Sequence, residues 1–299
     1  MKIIRPLAVS DSVLTASSLP EDDHSAYGAL TTYDLGDRVI VLATHSIYES
    51  VIDSNGGNDP TTDDGTNWVR VGATNKWKPF DKVLGDAATG TASITYQFSP
   101  GDTINNAIAF FGMSADSVRV VMTDPSDGVV YDMTASLADN QAVSDWYSYF
   151  FEPIVRLEEY VITDLPAFTG ITIDVTVTGS GAIAVGEIVP GHLQELGLTE
   201  YGSSIGIADY SRKDRDAYGN PYIVERAFAL TVDFDFVINT VDAAKVRKVF
   251  ADYRATPIVW IGSATQHFGA IVYGYYKGFT INLTGEVKSF CTAEVEGLI

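Results

Sequence analysis

A mainly β fold is what this sequence predicts, and three observations predict it. Gly, Thr, Tyr, Val and Ile are abundant, and short apolar runs are broken by turn residues every ten or so positions. Helical periodicity is scarce. Apart from a short turn near Val143 to Tyr147, one helix is expected, Val241 to Arg254. Its apolar face carries Val246, Val249, Phe250 and Tyr253 behind Thr240 or Asp242 as cap.

A chain of 299 residues has room for two or three domains. The expected architecture is a small N-terminal β-module, a central jelly-roll-like β-sandwich and a C-terminal α+β sandwich with one helix. Residues 1–26 read as an N-terminal arm, because Ser17-Ser18-Leu19-Pro20-Glu21-Asp22-Asp23 shows little periodicity. Residues 27–81 read as the module. There Val39 and Val41 alternate after a Gly36-Asp37 turn, Ser46 to Val51 follows His45, and turn-rich runs over 55–67 leave Trp68 opening the next strand.

Residues 82–186 carry longer alternating runs, consistent with one sandwich closing near Gly186. The strands expected are Ser93 to Phe98, Ala107 to Phe111, Ser117 to Thr123, Val129 to Thr134, Tyr147 to Phe151, Tyr160 to Ile162 and Ile171 to Val177. Residues 187–221 read as a linker or docking segment. Over 222–299 the order is strand Ala227 to Val237, the helix, then strands Pro257 to Ile261, Ala270 to Leu283 and Glu286 to Glu296, an α+β assembly domain.

A formal charge of -20 and a pI near 4.3 repel phosphate backbones and anionic membrane surfaces, so nucleic acid is not expected as a partner. A single cysteine, Cys291, excludes an internal disulfide framework and a cysteine-rich zinc site, and suits a reducing cytoplasm. No 18 apolar residues run together and the start lacks a long apolar segment, so neither membrane insertion nor export is expected.

Catalytic patterns are weak. Gly202-Ser203-Ser204-Ile205-Gly206 matches G-x-S-x-G, but its flanks lack the strand and helix that a nucleophile elbow requires. Glu158 and Glu159 are adjacent, and neighbours on a strand point to opposite faces, so they do not flank one glycosidic bond. His24, His45, His192 and His267 are isolated from one another, and the Asp59 to Asp64 loop lacks EF-hand spacing, so no metal and no cofactor are expected.

Two groups remain as candidate binding residues. Tyr33, Tyr48, Trp68 and Trp77 are large rings in a small module, where core packing competes with a role as stacking platforms for a sugar. Trp68 and Tyr48 are the best placed for the platform role. Arg212, Lys213 and Arg215 enrich a short stretch of an acidic chain in basic charge, as a solvated loop or as a subunit-docking patch.

Tyr33-x-x-Gly36-Asp37-x-Val39, the Ile47-Tyr48 pair and Trp68 after a polar loop resemble the small carbohydrate-binding modules found beside chitinases. The stretch looks like the version of that module carried by tailed-phage virion proteins, where a Met-Lys-Ile-Ile-Arg-Pro-Leu leader and a Thr74-Asn75-Lys76-Trp77-Lys78-Pro79-Phe80-Asp81 exit are also found. Further on, Ile207 to Lys213, Arg254 to Gly262, Val272 to Phe279 and the terminal Val295-Glu-Gly-Leu-Ile299 resemble minor tail or baseplate proteins of long-tailed phages. The C-terminal element order also resembles the tube fold of ring-forming tail proteins.

The resemblance implies a non-enzymatic structural component of the virion at the tail tip or baseplate, assembled in the host cytoplasm. Its implied partners are other phage tail proteins, copies of itself and a host cell-surface glycan. The alternative is a free carbohydrate-binding protein or a non-catalytic module of a polysaccharide-degrading system.

Overall fold

The computed structural model describes every residue except 140–144, 152, 154, 216–217, 264–269 and 284. The described residues are mainly β and are organised on one large curled sheet. Its strands run, edge to edge, Tyr160–Ile162, Ala107–Phe111, Glu187–Glu195, Lys2–Pro6, Ile258–Ile261, Ile271–Asn282, Lys288–Gly297 and Phe228–Asn239. Leu198–Thr199 and Ser204–Asp209 follow one another along the far side of the last strand. A five-stranded sheet, in the order Gly128–Ser136, Ser117–Asp124, Thr172–Val185, Ala88–Phe98 and Leu14–Ser17, covers the first part of the large one.

Period-two patterning builds the core between the two sheets. Ile94, Tyr96 and Phe98, Val118, Val120 and Met122, and Ile173, Val175 and Val177 all turn inward from the five-stranded sheet. They meet Ile108, Phe110, Ile162 and Ile188 of the large sheet. The intervening polar residues face out, where Gln97 Nε2 donates to Asp174 Oδ1 at 2.8 Å.

A second core lies under helix α2 (Ala243–Asp252), which follows a 3-10 turn over Thr240–Asp242. Val246, Val249 and Phe250 form its buried face, as the helical spacing predicts, and rest on Phe234, Phe236 and Trp260. The Phe250 ring lies parallel to that of Phe279 at 3.6 Å, and Tyr276 Oη donates to the Phe250 carbonyl at 2.9 Å.

Three sequence expectations need correction. The first concerns residues 1–26, which are no loose arm. Lys2–Pro6 is a central strand of the large sheet, paired with Glu187–Glu195 on one side and Ile258–Ile261 on the other, and Leu14–Ser17 completes the five-stranded sheet. Ile3 and Ile4 are both fully buried because both faces of that strand are covered, which removes the alternation that marks a half-buried strand.

The second concerns residues 187–221, whose first third is the strand Glu187–Glu195 between Ala107–Phe111 and Lys2–Pro6. Gly191 on this strand permits close approach: a Cβ would lie 2.1 Å from the Arg5 carbonyl oxygen. The sandwich and the C-terminal half therefore share one sheet. The third concerns Tyr147 to Phe151, which is not a strand but part of a short helix, α1 (Trp146–Phe151). Rings at nearly every position leave no period to read. The turn expected near Val143 begins outside the described residues.

Replacing Ile4 by Ala should cost about 2 to 5 kcal/mol of unfolding free energy in urea titrations, the range for a buried aliphatic chain with no room to collapse. A loss under about 1 kcal/mol would show that the strand is peripheral.

Candidate functional site

The module is a three-stranded sheet, Arg38–Val41, Ser46–Ser50 and Trp68–Ala73, with a small clasp between Thr32–Tyr33 and Asn55–Gly56. Its core is Val39, Tyr48 and Trp68, closed by Tyr27, Tyr33 and Val41. Trp68 is the hub, with edge-on contacts to Tyr33 at 5.2 Å and Tyr27 at 6.0 Å. Its indole Nε1 donates to the Asn58 carbonyl at 3.0 Å, and Tyr27 Oη donates to the same oxygen at 2.8 Å.

The polar loop before Trp68 is equally organised. Asp63 accepts from the amides of Gly65, Asn67 and Trp68 and from Asn67 Nδ2 at 2.6 Å, and these hydrogen bonds, led by Asn67, lower its carboxyl to about 2.

These contacts correct the platform expectation. Trp68 is 2% exposed and Tyr48 is 9% exposed, so neither presents a ring face to a sugar. Tyr33 is half-buried, packs on Tyr27 and Trp68, and accepts the Gly28 amide on its Oη at 2.8 Å. Trp77, 7% exposed, belongs to a different place. It stacks on His45 at 4.0 Å, touches Phe80 edge-on, and joins the sandwich core rather than the module core. A module this small spends its largest rings on its own interior.

Trp77 marks a polar clamp between module and sandwich. Glu21 accepts from His45 Nδ1 at 3.0 Å and Thr74 Oγ1 at 2.9 Å, and Asp11 lies 3.2 Å from His45 Nε2. Asn75 donates its backbone N–H to Asp23 at 3.1 Å and exchanges two hydrogen bonds with the backbone of Thr89. The exposed rings lie elsewhere. Trp146, Tyr147, Phe150 and Phe151 of α1 are all exposed, Trp146 by 79%, with Trp146 stacked on Phe150 at 6.1 Å.

Arg212, Lys213 and Arg215 lie on a projecting arm. Ser204–Asp209 pairs with the start of Phe228–Asn239, and beyond it Arg212–Arg215 pairs with Pro221–Val224, so the two chains leave the sheet together as one long hairpin. Arg212 Nε is 2.5 Å from Asp214, Lys213 Nζ is 2.5 Å from Asp209, and Arg215 donates to the Gly219 carbonyl at 3.1 Å. Ile205, Ile207, Tyr222, Ile223 and Phe228 are exposed along it. The root is fixed by Glu296, whose carboxylate accepts from Tyr210 and Tyr275 and pairs with Lys277, which holds the carboxyl below its usual range.

Beside the root lies a cleft of about 310 Å3 walled by Leu84, Phe111, Phe228, Tyr273 and Leu298 and carrying Glu158 and Glu159. Burial, then the neighbouring Glu158, raises the Glu159 carboxyl to about 7. In a second recess that Tyr273 also lines, Glu187 is 2% exposed, and its Oε1 has no hydrogen-bond partner among the described residues. Burial and then Asp81 push its carboxyl up to about 9, against the amides of Lys82 and Val83, which favour the charged form. Sequence reasoning passed over Glu187 and Glu296, because no pattern distinguishes a buried carboxyl on a strand from a solvated one.

The remaining sequence candidates are structural. Ser204 sits on the flat edge strand rather than at an elbow, and its Oγ donates to Asp233 Oδ2 at 3.0 Å. Asp59 and Asp64 cap their own turns through Thr61 and Thr66. Among the described residues no group of three His, Cys, Asp or Glu stands ready to hold a metal ion. His267 lies outside the described residues. The fold and these surfaces define a mainly β protein with a projecting two-stranded arm. No protein-family profile matches the chain, and no curated protein matches it.

Trp68→Ala should cost about 3 to 5 kcal/mol by chemical denaturation, the loss expected for a large buried ring. Glu187 sets a pH dependence. Its folded value near 9 lies above the unfolded value of 4.5, so the fold holds a proton that the unfolded chain releases. The stability this proton provides is complete below 4.5 and is lost as pH rises through about 9. Glu187→Gln should therefore melt progressively higher than the native chain as pH rises across that window; parallel curves would contradict a buried neutral carboxyl.

Proposed function

We propose that this chain is a non-catalytic structural component of a phage tail, at the tip or baseplate, which assembles with copies of itself and with other tail proteins. The observation that carries the assembly reading is the arm. A two-stranded ribbon projecting into water is marginally stable by itself. This one also exposes Ile205, Ile207, Tyr222, Ile223 and Phe228. Ser204–Asp209 pairs on one side only among the described residues, which leaves an edge of free backbone donors and acceptors. A surface of this kind suits a partner that covers it.

The place in a tail rests on the resemblance of the leader, the module and the C-terminal stretches to tail proteins. Glycan binding rests on the module's resemblance alone, since its largest rings are spent on packing.

A chain in which residues 212–224 are replaced by a short Gly-rich turn tests the reading. It should melt within a few degrees of the full chain, because the removed side chains are mostly exposed. It should be missing from tailed particles produced by the genome that encodes it, as judged by mass spectrometry of purified virions. Normal incorporation would refute an assembly role for the arm, and absence of the native chain from such particles would refute the tail reading.

A further inference from the structure

The outer half of the arm and the cleft at its root differ in a complementary way. The outer half, Arg212–Arg215 with Pro221–Val224, exposes Tyr222 and Ile223 beside Arg212, Lys213 and Arg215. On a chain of formal charge -20, the span from Arg212 to Arg226 carries four Lys and Arg residues against three acidic ones, Asp214, Asp216 and Glu225, a local excess of one positive charge. The cleft has apolar walls, including Phe111, Tyr273 and Leu298, next to the adjacent carboxyls of Glu158 and Glu159. A mostly apolar recess with two acidic groups suits a segment that brings apolar and cationic side chains together.

The same chain's arm does not supply that segment. Phe228, at the root, helps to line the cleft, and Pro221 lies seven residues further out, beyond residues 225–227 and at the far end of the strand Pro221–Val224. At roughly 3.3 Å per residue this places the basic end about 20 Å from the root, held there by the pairing of its two strands.

We propose that the cleft receives the outer arm of a second copy of this chain, with Lys213 and Arg215, which share one face of the ribbon, toward Glu158 and Glu159, and Ile223 of that same face on the apolar wall around Phe228 and Leu298. The proposal rests on the assembly reading above and names its receiving surface. The present partner of Lys213, Asp209, makes an exposed ion pair, which is weak and exchanges at small net cost. Arm and cleft are different patches, so every copy offers both, and the contact propagates head to tail.

Two full-length charge-reversed chains test this. One carries Glu158→Lys and Glu159→Lys; the other carries Lys213→Glu and Arg215→Glu; thermal unfolding of each checks the fold. In sedimentation velocity over a concentration series, each alone should associate at least about tenfold more weakly than the native chain. An equimolar mixture should regain association, because each reversed patch then meets its complement.

Cross-linking provides a second readout that does not depend on affinity. A chain with Glu158→Cys mixed with one carrying Lys213→Cys should form a covalent dimer between the two on mild oxidation, while Cys291 stays buried and out of reach. Reversed chains that associate like the native one, a mixture that regains nothing, or a native chain that is monomeric throughout would each overturn the proposal. If arm replacement abolishes association but the Glu158→Lys, Glu159→Lys chain still assembles, the assembly reading stands and the cleft is not the socket.

Discussion

The strand Lys2–Pro6 is the constraint on which the rest of the structure depends. Successive side chains of a strand point to opposite faces, so Ile3 enters the core beneath α2 while Ile4 enters a separate core with Ala107, Val189, Val259 and Tyr273. Its two edges are hydrogen-bonded to Glu187–Glu195 and Ile258–Ile261, strands separated by more than sixty positions in sequence. The sandwich half and the helical half are thereby one sheet. Loop closure over such separations is costly in entropy, and what offsets it is the burial of apolar side chains on both faces at once.

The polar groups at the junctions follow from that arrangement. Where the module's exit meets the large sheet, Glu187 is buried beside Asp81 and Tyr273, and the fold accommodates it by keeping it protonated. Where residues 11–23 cross the module, the groups lie nearer to water: Glu21 takes His45 and Thr74 as partners, and Asp23 accepts the Asn75 backbone N–H. The first junction is sensitive to pH through a raised carboxyl, whereas the second is a network of complementary donors and acceptors. Both tie the small module to the body through side chains as well as through its chain connections.

Much of the fold was legible because half-buried strands alternate. Ser117–Asp124, buried at every second position from Val118 to Met122, lies within a residue of where the sequence places it, and α2 lies within Val241 to Arg254, its ends differing by the residue or two that fraying usually accounts for. What escaped was decided by tertiary context. A strand covered on both faces shows no alternation, which hid Lys2–Pro6 and the first half of Glu187–Glu195.

The rings show the same limit at the site. A period locates Trp68 on a strand but does not say which face the module's other rings will cover, and Tyr27 and Tyr33 come from outside that sheet. The basic cluster was visible as charge; its position at the end of a hairpin was not, because pairing between 204–215 and 221–233 is a matter of register rather than composition.

The strand Phe228–Asn239 begins in the arm and ends in the core, where it runs alongside Lys288–Gly297 from Thr231 opposite Glu296 to Asn239 opposite Lys288. A pull on the arm along its length therefore loads that ladder in shear. Its hydrogen bonds share the force and must give way together, whereas a strand peeled from its end would release them one at a time. The arm is thus the continuation of a strand anchored across the body of the molecule, and tension applied through it reaches the core as a distributed load.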